Sequence, residues 1–428
     1  MAGFLSDLVQ YRKLLLMIMV LGIGGTHLSG FQMSVINYTS PYIQKFINET
    51  WLERYGSVLQ QETLTLLWSL IVSMYCVGGM IGCLCSGLLT AKYGKKKCLL
   101  FNDVVLIIAT LHTGFSRRAK SFEMILIGRF LEGIGAGIHL NAHVQYAGEI
   151  SPKRLRGFVN VSCSVFLALG KAVARILGLR DLLGTEDMWN VLLSFSGLVA
   201  LIQLVFLPFF PESPPYLLMQ KGDKAGCLKA MKQLWGEENY LTEFDDMMKE
   251  KAITKGTKIM NVLEMLKEPS VYPQLSTMLL ILLSLQLCGL SADQFLWMRY
   301  CSVILIFLFV IAYGLGPAGA VMSVMNEIFT LSTRSSAFVI GGIIIWLGLT
   351  FTGMIFPFAV IFLGPFCFLI FIAVLVISAV LIYLFLPETK GKSTSEITGE
   401  FKKCQFKKKR RQTVEKNATE EKTFCTKL

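Results

Sequence analysis

The chain has 428 residues, 54% of them hydrophobic and only 16% charged, with a net charge of +12 and a mean hydropathy of +0.57. A soluble domain carries about 25% charged residues, and a disordered chain needs low hydrophobicity, so both classes are excluded. The composition calls for a bilayer as solvent.

A spanning helix needs about 20 mostly apolar residues. Windows of that size fall at residues 14–36, 65–90, 98–115, 122–148, 158–179, 189–207, 271–292, 301–326, 337–361 and 364–386. The expected fold is therefore all-α, a polytopic membrane protein of about ten spans. Arg12 and Lys13 precede the first window and no small-residue cleavage pattern follows, so the window reads as an uncleaved anchor with its start inside. With alternating loops, 31 Lys and Arg fall on the face of the two termini and 7 on the other. That asymmetry makes both termini cytoplasmic, despite a local exception at Arg117, Arg118 and Lys120. The remaining cations, Arg129, Lys171 and Arg175, fall within spans.

The outer segment 37–64 holds two glycosylation sequons, at Asn37 and Asn48, of which Asn48 stands farther from the bilayer and is the better acceptor. Six spans (residues 1–207) precede a polar segment, 208–270, in which Glu and Lys recur at helical spacing around 225–235 and 241–251; it reads as a cytoplasmic helical linker. A shortened second bundle (271–389) follows. The tail (390–428) carries a basic run, Lys402 to Arg411, which either attracts anionic lipid or is merely solvated. The 11 Cys lie mostly within apolar runs, and neither a disulfide framework nor a metal spacing follows. No nucleotide motor motif, cofactor fingerprint, catalytic constellation or nucleic-acid signal emerges.

Gly128-Arg129 opening the fourth span, Glu149-Ile-Ser-Pro152 with Arg156-Gly157 closing it, Pro211-Glu-Ser-Pro214 and Pro387-Glu-Thr-Lys-Gly391 resemble the sugar porters of the major facilitator superfamily. Within them the chain is similar to the facilitative hexose transporters, solute carrier family 2; Asn48 to Trp51 and Ser121 to Met124 resemble its fructose-carrying branch. That family has twelve spans. The match runs to Ala292 and resumes at Trp297, so spans eight and nine are expected to be absent; their loss keeps the tail inside.

The resemblance implies two bundles rocking about a midplane site in a multi-pass protein of the plasma membrane. It assigns substrate contacts to Gln32, Ser164, Gln286, Ser291 and Trp346, whose amides, hydroxyls and aromatic face suit a neutral, hydroxyl-rich sugar. Leu285, Ile345, Gly314 and Met322 stand where the family has polar or aromatic groups. Gly316-Pro317 matches the family's gating break. Glu149 and Arg156, with Glu327 and Arg334, occupy corresponding span ends and are implied to form a cytoplasmic salt-bridge lock, with Arg129 in the same set; ordinary interfacial charge is the alternative. Gln32 stands where proton-coupled relatives have an acid, which implies passive uniport. Lys171 and Arg175 share one face of the fifth span at a depth similar to Glu132, which leaves three readings: Lys171 and Glu132 pair, the two cations line a cavity for an anion, or the site is dead or unfolded.

The expected function is facilitative transport of a hexose such as glucose or fructose. The alternatives are a truncated, non-transporting membrane protein and a carrier of an organic anion such as urate. The expected partners are the sugar and the bilayer, with an oligomer as a way to complete the shortened half.

Overall fold

The computed structural model describes residues 11–236, 240–253, 262–268 and 319–363, with scattered positions among 271–278 and 373–399. Among the described residues every regular element is helical. The first bundle comprises α1 (Arg12–Tyr55), α2 (Gln61–Tyr93), α3 (Lys95–Phe115), α4 (Glu123–Ile150), α5 (Arg156–Leu177) and α6 (Trp189–Phe206). One helix stands over each of the first six apolar windows.

Helix α1 outruns its window. It passes through a π turn at Ile23–His27 and through Pro41, and stops only at Gly56, whose left-handed φ of 65° closes the last turn with its N–H on the Leu52 carbonyl. Residues 37–55, expected as an outer loop, are thus helical. Thr39, Ile43, Ile47 and Thr50 are buried at helical spacing, and Ile43 and Ile47 share an apolar cluster with Trp189, Leu192 and Leu193. Burial of that stripe carries the helix beyond the bilayer. Both sequons therefore lie on helix, with Asn37 exposed and Asn48 half-buried.

The cations that broke the charge asymmetry are largely neutralised at this end. Arg117 pairs with Asp187 at 3.1 Å, Lys120 with Glu53, Arg54 with Glu123 at 2.5 Å and Lys45 with Glu186 at 2.6 Å. Such exposed pairs add little stability, but they leave little net charge on this face.

Helices α2 and α4 cross where both carry glycine. A Cβ on Gly133 or Gly137 would strike the carbonyls of Tyr75 or Gly79, and one on Gly78 or Gly82 those of Phe130 or Ile134. Backbone thus packs on backbone, as small residues permit in membrane bundles. Six described helices are long and apolar enough to cross a membrane: α1, α2, α3, α5, the stretch Trp189–Phe209 and the stretch Thr333–Thr350. Helix α4 falls outside that set because it carries Arg129, Glu132, His139 and His143, all buried. It packs against α2 and α3 rather than facing lipid.

The linker forms α7 (Lys224–Trp235), α8 (Tyr240–Ile253) and α9 (Val262–Lys267). Asp223 caps α7 by accepting from the Gly226 N–H at 2.8 Å. The buried face of α7, with Cys227, Met231, Leu234 and Trp235, joins one core with Leu14, Met17, Ala147 and Ile150 of the bundle, and Trp235 donates to the Ile150 carbonyl at 2.8 Å. Helix α8 is tied to the turn after α4: Glu243 accepts from the Lys153 N–H at 2.7 Å, and Lys153 Nζ reaches Asp246 at 2.6 Å. Lys153 holds the Asp246 carboxyl below its ordinary range, whereas burial raises that of Glu243.

Of the second bundle, α10 (Gly319–Ile328) packs on α5, and α11 (Leu331–Leu363) packs mainly on α2. The expected spans at 271–292, 301–326 and 364–386 lie wholly or largely outside the described residues, as do Gln286, Ser291, Gly316, Pro317 and the basic tail.

Candidate functional site

The polar groups of the first bundle form three tiers along α4. At the tier nearest the α1–α2 turn, the buried Arg129 guanidinium donates to Gln32 Oε1 at 3.0 Å, to the Gln32 carbonyl at 3.3 Å and to Glu132 at 3.2 Å. It also lies 4.3 Å from the centre of the Tyr75 ring. Gln32 donates in turn to Ser196 on α6. Tyr75 meets Trp346 of α11 edge-on, with ring centres 5.4 Å apart. Gln32 and Trp346 are thus joined through Tyr75 and Arg129, which couples the first bundle to α11.

In the middle tier Asp103 of α3 lies 3.5 Å from His139 Nε2, and the Gln203 amide, turned to satisfy its neighbours, donates to Asp103 at 3.0 Å and to the Gly24 carbonyl at 2.9 Å. Asn141 donates to Ser86 at 2.9 Å, close to where Gly342 of α11 packs. Asp103, His139 and Gln203 form a cluster with no signal in the sequence, since its members come from three different helices.

The third tier, at the linker end, is a knot of three segments. Lys95, just past the Gly94 break, pairs with Glu149 at 2.9 Å, and both side chains are about 6% exposed. Ser213 donates to the same Glu149 oxygen. Glu212 Oε1 accepts from the Lys95 and Lys96 N–H groups at 3.0 and 3.1 Å, capping α3, while Tyr146 donates to the Pro211 carbonyl. The Pro211-Glu-Ser-Pro214 motif is therefore the clasp between the linker, the α2–α3 break and the end of α4.

This geometry corrects several expected roles. Arg129 is no part of a cytoplasmic lock: twenty residues of helix separate it from Glu149, about 30 Å at 1.5 Å per residue, and its acid is Glu132. Glu149 bonds within the first bundle, to Lys95, and Arg156 donates to the Gly148 carbonyl at 3.1 Å. Arg334 donates to the Phe329 carbonyl at 3.2 Å, and Glu327 is half-buried. The two halves also meet at Asn326 of α10, which donates to Asn160 of α5 at 3.1 Å beside Gly148, where a side chain would collide. Lys171 does not pair with Glu132, whose carboxylate is taken by Arg129; Lys171 and Arg175 lie half-buried on α5, without an acid among the described residues. Ser164 is buried on α5, one turn from Asn160.

Comparison with known proteins fits this architecture. The family model for sugar (and other) transporters matches residues 16–295 and 290–401. The human solute carrier family 2 facilitated glucose transporter member 11 is 33% identical over 473 positions, covering 94% of this chain and 95% of its own. Member 5 of Pongo abelii is 34% identical (90% and 91% covered) and member 9 of mouse 32% identical (89% and 84%). The 473-position alignment is longer than the chain itself, so the human relative has residues without a counterpart here. The proton:xylose symporter XylE, bound to 6-bromo-6-deoxy-D-glucose, shares the fold with a TM-score of 0.70, 17% identity and coverage of 92% of this chain and 99% of its own. Multi-pass, helical and of major facilitator type, the chain belongs to the sugar transporter family, alongside relatives in solute carrier family 2.

Proposed function

We propose that the chain carries a hexose, glucose or fructose, down its gradient by alternating access, with both termini cytoplasmic in the plasma membrane and Asn48 as the glycan acceptor. The observation that carries this reading is the junction of Gln32, Arg129, Tyr75 and Trp346. It links a neutral amide inside the first bundle to an aromatic face at α11, the chemistry that a polyhydroxylated ring requires. Gln32 is bonded on both sides within the first bundle, to Arg129 and Ser196, so a sugar would reach it only by displacing one of these bonds. Gln286 and Ser291 are proposed to complete the site, Ser164 to flank it and Gly316-Pro317 to gate it.

The two-piece family match, with its overlap at residues 290–295, supports the loss of spans eight and nine, and we propose that a second copy covers the opening this leaves. Uptake of labelled fructose and glucose into proteoliposomes tests the function. Flux above empty vesicles, reduced at least tenfold by Gln32→Ala, is expected; flux equal to empty vesicles would favour a non-transporting protein.

A second reading has one observation in its favour, the pair Lys171 and Arg175 without an acidic neighbour among the described residues. If they attract an organic anion, urate uptake should exceed hexose uptake and vanish in the Lys171→Gly, Arg175→Gln double variant. Unchanged hexose flux with no urate flux in the parent chain removes this reading.

A further inference from the structure

On the lipid-facing side of the first bundle, α3 and α6 part to leave a groove of about 530 Å³. Its floor is closed by the helices themselves: Ser194 donates to the Thr110 carbonyl at 3.1 Å and Asn190 to the Gly114 carbonyl at 3.2 Å. Its walls are apolar, and Leu111, Phe115, Leu198 and Leu201 remain roughly half exposed. On α6 the lining runs from Asn190 to Leu201, eleven residues or about 16 Å at 1.5 Å per residue. That matches one leaflet, half of the roughly 30 Å hydrocarbon core.

The groove has charge at one end only. Arg118 lines its mouth at the face opposite the linker. While its neighbours Arg117 and Lys120 are paired with Asp187 and Glu53, Arg118 is exposed and has no acidic partner among the described residues. An apolar channel one leaflet deep that ends at a single free guanidinium fits an amphiphile with one long chain and a compact anion at interface depth. We propose that this groove is a phospholipid site, with one acyl chain between α3 and α6 and the phosphate held by Arg118. Both walls belong to the first bundle, so the lipid would move with that bundle through any transport cycle. The site depends on membrane embedding alone and not on which solute is carried.

The test is native mass spectrometry of the delipidated full-length protein with palmitoyl-oleoyl phosphatidylcholine, or with the diacylglycerol that has the same chains and no phosphate. One phosphatidylcholine is expected to stay bound at activation energies that remove the diacylglycerol, with retention at least tenfold greater. Arg118→Ala should lose that preference, and Leu198→Trp, which fills the groove from an exposed position, should lose retention altogether. Equal retention of the two lipids by the parent protein would overturn the proposal without reference to any variant, and so would undiminished retention in a folded Leu198→Trp protein.

Discussion

Two buried ion pairs hold the first bundle, and they do so in opposite ways. Arg129 and Glu132 stand one turn apart on α4, and Gln32 and Tyr75 are drawn in around them from α1 and α2. Lys95 and Glu149 come from different helices and, with Ser213 and Glu212, fasten segments remote in the chain. The first pair exists wherever α4 is helical; the second exists only once the bundle and the linker have assembled. A buried pair in itself is weak evidence of net stability, yet removing one member strands the other charge. The penalty therefore depends on what else each stranded group holds.

The largest effect is expected at the knot. Glu149→Ala leaves the Lys95 ammonium buried and removes the acceptor of Ser213, at a cost of about 3–5 kcal/mol. It should show as a marked drop in the melting temperature of the detergent-purified protein, and Lys95→Ala in the same chain should restore part of it. No drop in the single variant would mean that the linker clasp holds without the pair.

The upper pair should give way more gently and asymmetrically. Glu132→Ala leaves a guanidinium that cannot shed its proton but still has Gln32 and the Tyr75 face, so a loss of about 2–3 kcal/mol is expected. Arg129→Ala leaves a carboxyl that can escape its charge by binding a proton, and it should cost less. Thermal melts of the two variants at pH 7 check the order; the reverse order would show that Arg129 acts chiefly by tying α1 to α4.

Much of this was legible in the sequence, and the failures have physical causes. Apolar runs announce helices that must satisfy their own backbones in lipid, so α1 to α6 stand where the windows fell. The stripe from Thr39 to Thr50 that extends α1 was there to be read, but polar neighbours hid it within a hydropathy window. The family motifs put Arg129 in one set with Glu149, although helical rise alone places them toward opposite ends of α4. Lys171 and Glu132 share a depth, but depth does not specify which way a helix face points, and Arg129 one turn away already claims the carboxylate. The knot was invisible for another reason: Lys95, Glu149 and Ser213 are distant in sequence, and only the packed structure brings them together.

Where α10 of the second half meets α5, the contact includes a neutral hydrogen bond, in contrast to both pairs. Asn326→Ala removes the bond to Asn160 at about 0.5–1.5 kcal/mol. In a rocking transporter that loss falls on the arrangement in which α10 touches α5, so populations should shift about two- to thirteenfold toward the arrangement in which they part. Cysteine labelling at Ser164, buried here on α5, would report it: faster labelling in the variant is expected, and an unchanged rate would make the Asn326 contact incidental.

The smallest effect belongs to the exposed tie between α8 and the turn after α4, and its sign with pH can be worked out. Lys153 depresses the Asp246 carboxyl in the folded chain, so its contribution is in place above the unfolded value of about 3.9 and fades as pH falls through the folded one. Glu243 runs the other way: burial raises its carboxyl, so what it adds is greatest when protonated and is lost as pH rises through that higher value. The Asp246→Asn variant isolates the first effect. With the Asp246 side chain 40% exposed, screening keeps the difference from the parent below about 1 kcal/mol. Hydrogen exchange of α8 should show that difference at pH 7 in low salt, and show it shrinking in 1 M salt, where the Debye length is about 3 Å. Persistence of the difference in high salt would mean that Asp246 holds α8 through the geometry of its hydrogen bond to Lys153 rather than through charge.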